Sequence, residues 1–222
     1  MNKSFIFDLD GVLIDDEQIW ENKKRVLYKE LFGDDIVAKM GSTLGINIDG
    51  IYERAAALGA QVSKEELTTA FHELADGIYE TAPIPSGLDE LVATLERLNY
   101  HIGIVSASPL SWITTVTKRL SFEASIEVII SLYERDDLAH KPAPDGYLEG
   151  MRVLGAAPKT TVILEDSNSG IRSAKASGAL TIGLRQNLAD GYVQVGADQY
   201  ADTVEDVIRI VQAHSSKLAT DS

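Results

Sequence analysis

The sequence predicts an α/β fold in which a mostly parallel, Rossmann-like sheet has helices on both faces. From Leu88 onward, short apolar segments alternate with amphipathic ones, which is typical of parallel strands joined by right-handed helical crossovers. The first such segment, Phe5-Ile6-Phe7, is rich in β-forming residues and stops at two acids and a glycine, as a buried strand would. Between these regions the chain shows helical spacing without a convincing strand.

We interpret residues 16–83 as a small all-helical cap domain inserted into an α/β core domain made of residues 1–15 and 84–222. Pro83 and Pro85 mark the return to the core. Helical spacing and capping signals in the insertion predict helices over Asp16–Phe32, over Ile46–Leu58, and from the Ser63 capping box to about Glu80.

The core domain is predicted to contain further strands and helices in alternation. We expect strands at His101–Val105, Glu127–Ser131, Thr161–Leu164 and Leu180–Leu184. We expect helices at Leu88–Leu98, Pro109–Leu120, Pro144–Leu154, Ser169–Ser177 and Val204–His214, followed by a frayed tail over Ser215–Ser222.

Composition limits the possible partners. The 222 residues carry a formal net charge of −14, which argues against nucleic acid and anionic membranes because such surfaces require clustered Lys and Arg. The absence of cysteine excludes disulfides and thiol chemistry. No signal-peptide core or membrane-spanning run is evident, so we expect a cytoplasmic protein, with a monomer as the default.

The first polar cluster follows the first strand. Alternate residues of a strand point to the same face, so Asp8 and Asp10 are expected to share one site, and Gly11 permits a sharp exit from the strand. The alternative is a strand end with two solvated acids, since acid plus glycine is ordinary turn chemistry.

The second and third clusters follow later strands. Ser108 and Pro109 fit a capped helix start, which leaves the Ser106 hydroxyl as a candidate phosphate ligand beside free amides. Two prolines hold Lys141 on a rigid loop. Lys141 is either a solvated surface lysine or turned inward to neutralise a phosphoryl group and an aspartate, and we interpret His140 as structural.

The fourth cluster is Glu165-Asp166, at the end of the strand predicted over Thr161–Leu164. If this strand neighbours the one before Asp8, up to four carboxylates converge. Two such charges about 4 Å apart repel by about 4 kcal/mol at an effective dielectric constant of 20. Mg²⁺ is the natural counterion, because it prefers hard oxygen ligands and shares its shell with phosphate.

The four clusters, taken together and in this order, resemble the motifs of the haloacid dehalogenase superfamily, and the resemblance spans nearly the whole chain. The helical insertion resembles the small cap of the subgroup that includes β-phosphoglucomutase and sugar-phosphate phosphatases, with most similarity to phosphatases of the 2-deoxyglucose-6-phosphatase kind. The residues that carry the resemblance are Asp8-Leu9-Asp10-Gly11-Val12, Ser106, Lys141 and Glu165-Asp166-Ser167.

This resemblance implies a role for each candidate residue. Asp8 would attack phosphorus and become an aspartyl-phosphate, while Asp10 would act as acid and then as base. Mg²⁺ would be held by the Asp8 carboxylate, the Asp10 backbone carbonyl and Asp166, with Glu165 a ligand or directly behind one. Ser106, the Ala107 amide and Lys141 would bind the phosphoryl oxygens. The rest of the substrate would contact the cap residues Glu17, Trp20 and Asn47.

We therefore expect a Mg²⁺-dependent phosphatase acting on a small phosphorylated metabolite, namely a sugar (hexose) phosphate. A β-phosphoglucomutase-like phosphomutase is an alternative, although mutases of the subgroup have histidine where this chain has Trp20. A dehalogenase would not need Asp10 or the Glu165-Asp166 pair, and a non-catalytic phosphate-binding regulator would not need every reactive group. One departure from the family pattern is Asp16, where related sequences commonly carry Ser or Thr.

Overall fold

The computed structural model describes residues 2–41, 43, 46, 48–188 and 191–220. The chain forms two compact units: Met1–Glu17 together with Ala82–Ser222, and Gln18–Thr81. The two points at which the chain leaves and re-enters the larger unit lie side by side. There the Asp15 amide donates to the Pro83 carbonyl oxygen at 2.9 Å. Among the described residues, no helix is both long and apolar enough to cross a membrane.

The larger unit is built on a six-stranded sheet with the order β3-β2-β1-β4-β5-β6, in which every neighbouring pair is parallel. The predicted fold class is confirmed. The sequence did not predict the last strand, β6, because its three residues are too few to show a periodic pattern. The strands are β1 (Asn2–Phe7), β2 (Tyr100–Ser106), β3 (Ile126–Ser131), β4 (Ala156–Glu165), β5 (Leu180–Leu184) and β6 (Gln199–Ala201).

The smaller unit is all-helical and has its own apolar core. The capping box predicted at its last helix is present, because the Ser63 amide donates to Glu66 Oε2 at 2.8 Å and the Glu66 amide donates to Ser63 Oγ at 3.1 Å. Its helices are α1 (Glu17–Phe32, which begins in the larger unit), α2 (Asp34–Met40), α3 (Ile48–Ala57) and α4 (Lys64–Thr81). The buried side chains of its core are Tyr28, Phe32, Met40, Ile51, Ala55 and Leu67.

The helices of the larger unit alternate with most of its strands, and the last helix follows β6. The frayed tail expected after His214 is wrong, because the last helix continues and buries Ser215, whose hydroxyl oxygen accepts from Lys3 at 3.2 Å. The helices are α5 (Leu88–Arg97), α6 (Leu110–Thr117), α7 (Asp145–Val153), α8 (Asn168–Ser177) and α9 (Val204–Thr220).

The central strand β1 fixes where the polar clusters meet. It pairs with β2 and β4 so that Phe7 lies level with Ile104 on one side and Leu164 on the other. In parallel strands the carboxyl ends share one edge of the sheet, which is where ligands of open α/β sheets bind. The residues that follow these strands therefore emerge side by side.

Candidate active site

Asp8 lies at the centre of the site, one residue beyond the end of β1. Its backbone amide donates to the Leu164 carbonyl oxygen at 3.0 Å, which extends the pairing with β4 past the strand end. Only 6% of its surface is exposed. The sheet therefore holds a buried carboxylate whose backbone position is fixed.

Lys141 reaches this carboxylate from the loop before α7. Its Nζ lies 2.7 Å from Asp8 Oδ1 and 2.6 Å from Glu165 Oε1, and it also donates to the Val105 carbonyl oxygen at 3.3 Å. Its side chain is 9% exposed. Of the two alternatives for this residue, the inward-turned lysine is the one present.

Three acids from two neighbouring strands face one another. Asp8, Glu165 and Asp166 each place one carboxylate oxygen within 4.8 Å of the others. Burial raises the pKa of Asp8 to about 7, the Glu165 carboxylate adds to the rise, and Lys141 opposes it. Burial, followed by the charges of Glu165 and Asp8, raises the pKa of Asp166 well above its ordinary value. The single positive charge of Lys141 does not neutralise three buried carboxylates.

The close approach of Asp166 to the turn after β1 depends on Gly11. This residue has a φ of 72°, and a Cβ built on it would lie 2.0 Å from Asp166 Oδ2. A side chain there is excluded by both the backbone conformation and the contact. The result is a cluster of hard oxygen donors that fits a small divalent cation.

Asp10 faces the loop between β2 and α6. Its Oδ2 accepts from the Ser108 hydroxyl at 2.8 Å and more weakly from the Ser106 hydroxyl at 3.5 Å. Ser106 Oγ in turn accepts from the Ser108 amide at 3.0 Å, and Ala107 between them is exposed. The N-cap expected of Ser108 is wrong, because α6 begins at Leu110 and the hydroxyl bonds Asp10 instead.

Asp16 forms the other support of the turn that carries Asp10. The Gly11 amide donates to Asp16 Oδ1 at 3.0 Å, and Asp16 is 1% exposed. Burial, followed by the negative charge of Asp10, raises the pKa of Asp16 to about 8. Asp16, at the position where the resemblance predicts Ser or Thr, is therefore a buried acid with a raised pKa.

The three candidate cap residues differ in placement. Glu17 belongs to the larger unit, and its charge contributes to the raised pKa of Asp166. Trp20 belongs to the helical unit, where its ring stacks on Phe71 with centroids 5.3 Å apart and meets Tyr79 edge-on at 6.2 Å. Asn47 lies outside the described residues.

Two further residues contact the cluster but were not singled out in the sequence. The Tyr147 hydroxyl, on α7, donates to Glu165 Oε1 at 2.7 Å. The Gln194 amide nitrogen donates to the carbonyl oxygens of Asp166 and Leu184 at 2.5 and 2.7 Å. Tyr147 occupies an apolar position of an amphipathic helix, where tyrosine looks like core, and Gln194 lies in an irregular loop without periodicity.

Comparisons with known proteins agree with this geometry. The model of the haloacid dehalogenase-like hydrolase family matches residues 5–184. Hexitol phosphatase B of Escherichia coli K12 is 32% identical over 179 residues, which cover 78% of each chain. A phosphorylated carbohydrates phosphatase of Thermotoga maritima is 26% identical over 85% of this chain and 88% of its own. A structure of a putative β-phosphoglucomutase from Thermotoga maritima shares the fold, with a TM-score of 0.76, 23% identity and coverage of 95% and 99%.

Proposed function

The chain belongs to the haloacid dehalogenase-like hydrolase family, and on that premise we propose that it is a Mg²⁺-dependent phosphatase of a small phosphorylated carbohydrate. The phosphatases among its relatives confirm the predicted enzyme class, a phosphoric monoester hydrolase. The observation that carries the proposal is the meeting of Asp8, Lys141 and Asp166 at one edge of the sheet.

The oxygen donors of the site fit a magnesium ion. The carboxylates of Asp8 and Asp166 and the backbone carbonyl of Asp10 would hold it, with Glu165 beside them. When bound, Mg²⁺ would neutralise part of the charge on the phosphoryl oxygens. Burial, together with the mutual repulsion of the acids, raises the pKa values of Asp8 and Asp166 and supports a cation at this place.

In the first step Asp8 acts as the nucleophile. One carboxylate oxygen forms a bond to phosphorus while the bond from phosphorus to the sugar oxygen breaks, and Asp10 gives its proton to that leaving oxygen. Lys141 and the hydroxyl of Ser106, with the Ala107 amide, stabilise the charge that spreads over the phosphoryl oxygens. Lys141 Nζ lies 2.7 Å from Asp8 Oδ1, and we propose that this contact orients the carboxylate for in-line attack.

In the second step water hydrolyses the aspartyl-phosphate. Asp10, now ionised, takes a proton from the water, whose oxygen bonds phosphorus as the bond to Asp8 breaks. The products are inorganic phosphate and the free Asp8 carboxylate, and Asp10 recovers its proton. The Ser108 hydroxyl donates to Asp10 Oδ2 at 2.8 Å, and we propose that this bond orients the carboxyl group for both transfers.

The substrate class comes from the relatives and the cap. Named relatives act on hexitol phosphate and phosphorylated carbohydrates, and we propose a sugar or sugar-alcohol phosphate here. We propose the helical insertion, residues 16–83, as the cap that selects it, with Glu17, Trp20 and Asn47 as contacts. Trp20 in place of the histidine of the mutases favours hydrolysis over phosphomutase activity. A monomer in the cytoplasm remains the expected form.

A phosphate-release screen tests the proposal. The purified chain is assayed against phosphorylated hexoses, hexitols, pentoses and glycerol with Mg²⁺ and with EDTA, and an Asp8→Asn variant serves as the matched control. We expect Mg²⁺-dependent release that Asp8→Asn abolishes while its thermal unfolding stays cooperative. Isomerisation without phosphate release would favour the mutase, and equal activity of Asp8→Asn would reject the nucleophile.

A further inference from the structure

The hydroxyl of Tyr147 contacts the ion-paired cluster from within the core. Tyr147 is fully buried, and Lys141 Nζ lies 5.2 Å from the centroid of its ring. The hydroxyl donates to Glu165 Oε1 at 2.7 Å. A phenylalanine would fill the same core volume, so packing alone does not account for the hydroxyl.

Glu165 has both of its oxygens occupied by protein donors. Oε1 accepts from Lys141 and Tyr147, and Oε2 accepts from the Asp166 amide, the Ser167 amide and the Ser167 hydroxyl. An ionised carboxylate has about four lone-pair sites. These five donors therefore leave Glu165 no capacity to bind a metal ion directly.

Asp166, unlike Glu165, has a carboxylate that is not occupied by protein donors from the described residues. Its carboxylate accepts no hydrogen bond from any residue in the part of the chain that the structure describes, although it is 5% exposed and faces the turn at Gly11. It is thus available to a cation. The two consecutive acids have different tasks: Asp166 is open to a ligand, and Glu165 holds Lys141.

Lys141 is shared between two acids that compete for it. Its Nζ lies 2.7 Å from Asp8 Oδ1 and 2.6 Å from Glu165 Oε1. A hydrogen bond from Tyr147 to the same Glu165 oxygen reduces the negative charge that this oxygen presents to the ammonium group. Without it, Glu165 would bind Lys141 more strongly, at the expense of Asp8.

We propose that Tyr147 is a positioning residue that limits the hold of Glu165 on Lys141 and so keeps the ammonium group on Asp8 and the transferring phosphoryl group. The inference rests on the proposed function. Because Lys141 stabilises charge that develops during transfer, a misplaced ammonium group lowers kcat more than it weakens substrate binding.

Tyr147→Phe tests this proposal, with Tyr100→Phe as the matched control. Tyr100 is also a buried phenol, but it stands at the amino end of β2, away from the cluster. For Tyr147→Phe we expect kcat to fall by about tenfold, with KM and the Mg²⁺ dissociation constant from thermal-shift titration each within about twofold. Tyr100→Phe should change none of the three. 4-Aminophenylalanine at position 147, which restores a donor, should recover most of kcat.

A double-mutant cycle asks whether Tyr147 acts through Glu165. In a Glu165→Gln background, Tyr147→Phe should lower kcat by less than about twofold, since the acceptor it restrains has lost its charge. Glu165→Gln should itself weaken Mg²⁺ binding by only the roughly 10–100-fold that is typical of a residue behind a metal ligand, and Asp166→Asn should lose Mg²⁺ binding. The Mg²⁺ measurements decide the role of Glu165 even if Tyr147→Phe does not fold.

Three results would overturn the proposal: an unchanged kcat in Tyr147→Phe, a full additional loss from Tyr147→Phe in the Glu165→Gln background, or Glu165→Gln losing Mg²⁺ as completely as Asp166→Asn. Each of these is read against an active wild-type enzyme. Absence of phosphate release by the wild type would instead reject the proposed function.

Discussion

The buried acids of the site repel one another in the metal-free protein. Asp166 has its pKa raised first by burial and then by the charges of Glu165 and Asp8. Two carboxylates about 4 Å apart cost about 4 kcal/mol at an effective dielectric constant of 20. A divalent cation that relieves this repulsion should stabilise the folded state and not only assist the reaction.

Mg²⁺ is therefore expected to raise the melting temperature. A concentration about 100 times the dissociation constant contributes about 2.7 kcal/mol, which corresponds to roughly 5–10 °C for a chain of this size. Asp166→Asn should remove the shift, and Asp136→Asn, which changes an exposed acid, should keep it. Thermal unfolding with Mg²⁺ and with EDTA measures this, and an equal Mg²⁺ shift in Asp166→Asn would contradict the assigned site.

Asp16 introduces a pH dependence of stability. Its pKa is about 8 in the folded protein, because of burial and the charge of Asp10, against an ordinary value of 3.8. The folded state therefore binds more protons than the unfolded state between these values, so the contribution of Asp16 is fully present below pH 3.8 and is lost as pH rises toward 8. The slope is at most about 1.4 kcal/mol per pH unit.

Asp16→Asn should remove this dependence while it keeps an oxygen for the Gly11 amide. In EDTA, the melting temperature of the variant relative to wild type should rise steadily from pH 5 to pH 8. Asp136→Asn, on the surface, should show a difference from wild type that does not grow over this range. A constant difference for Asp16→Asn would show that the buried carboxyl does not titrate in this window.

At the scale of elements, the pairing of β1 with β4 determines which acids come together in the site. The apolar runs before Asp8 and before Glu165 predicted two buried strands ending in acids. The structure shows that these strands are adjacent and parallel, which the sequence argument had only assumed as a condition. The order of the strands is a finding of the structure, since periodicity alone does not say which strands pair. Polar residues at strand ends were therefore predictable as a group.

The contacts made by loops and by apolar helix positions were not predictable. Ser108 satisfied every rule for an N-cap, yet α6 starts at Leu110, one residue later than predicted, and the Ser108 hydroxyl bonds Asp10 instead. Gln194 joins the ends of β4 and β5 through a loop whose conformation no local pattern specifies. The helical pattern indicates a core position for Tyr147, and the residue is buried in the core. Only the tertiary fold brings its hydroxyl to Glu165.

The capping box of α4 makes a prediction of its own. Both of its reciprocal hydrogen bonds are present at exposed positions, so Ser63→Ala should destabilise the helical unit by about 1 kcal/mol. Ser111→Ala, an exposed serine within α6, should hold or slightly raise stability because alanine is the better helix former. Chemical denaturation compares the two variants, and equal effects would mean that the box contributes nothing.

For the whole molecule, the charge distribution agrees with an enzyme for a small anion. A chain with a net charge of −14 disfavours polyanions, yet it places the buried Lys141 beside its central carboxylate. Together with a cation at Asp8 and Asp166, this group would supply the local positive charge that a phosphorylated sugar requires. We propose that the helical unit sets the selectivity among such sugars, and the substrate screen tests this.

The central claim is that Asp8 takes up the phosphoryl group, and acid-quenched mass spectrometry of the enzyme during turnover tests it most directly. We predict that the intact protein gains the mass of one phosphoryl group, that peptide mapping places it on Asp8, and that the adduct is absent from Asp8→Asn. Steady phosphate release by a wild-type enzyme that never carries the adduct, or an adduct on another residue, would contradict the account.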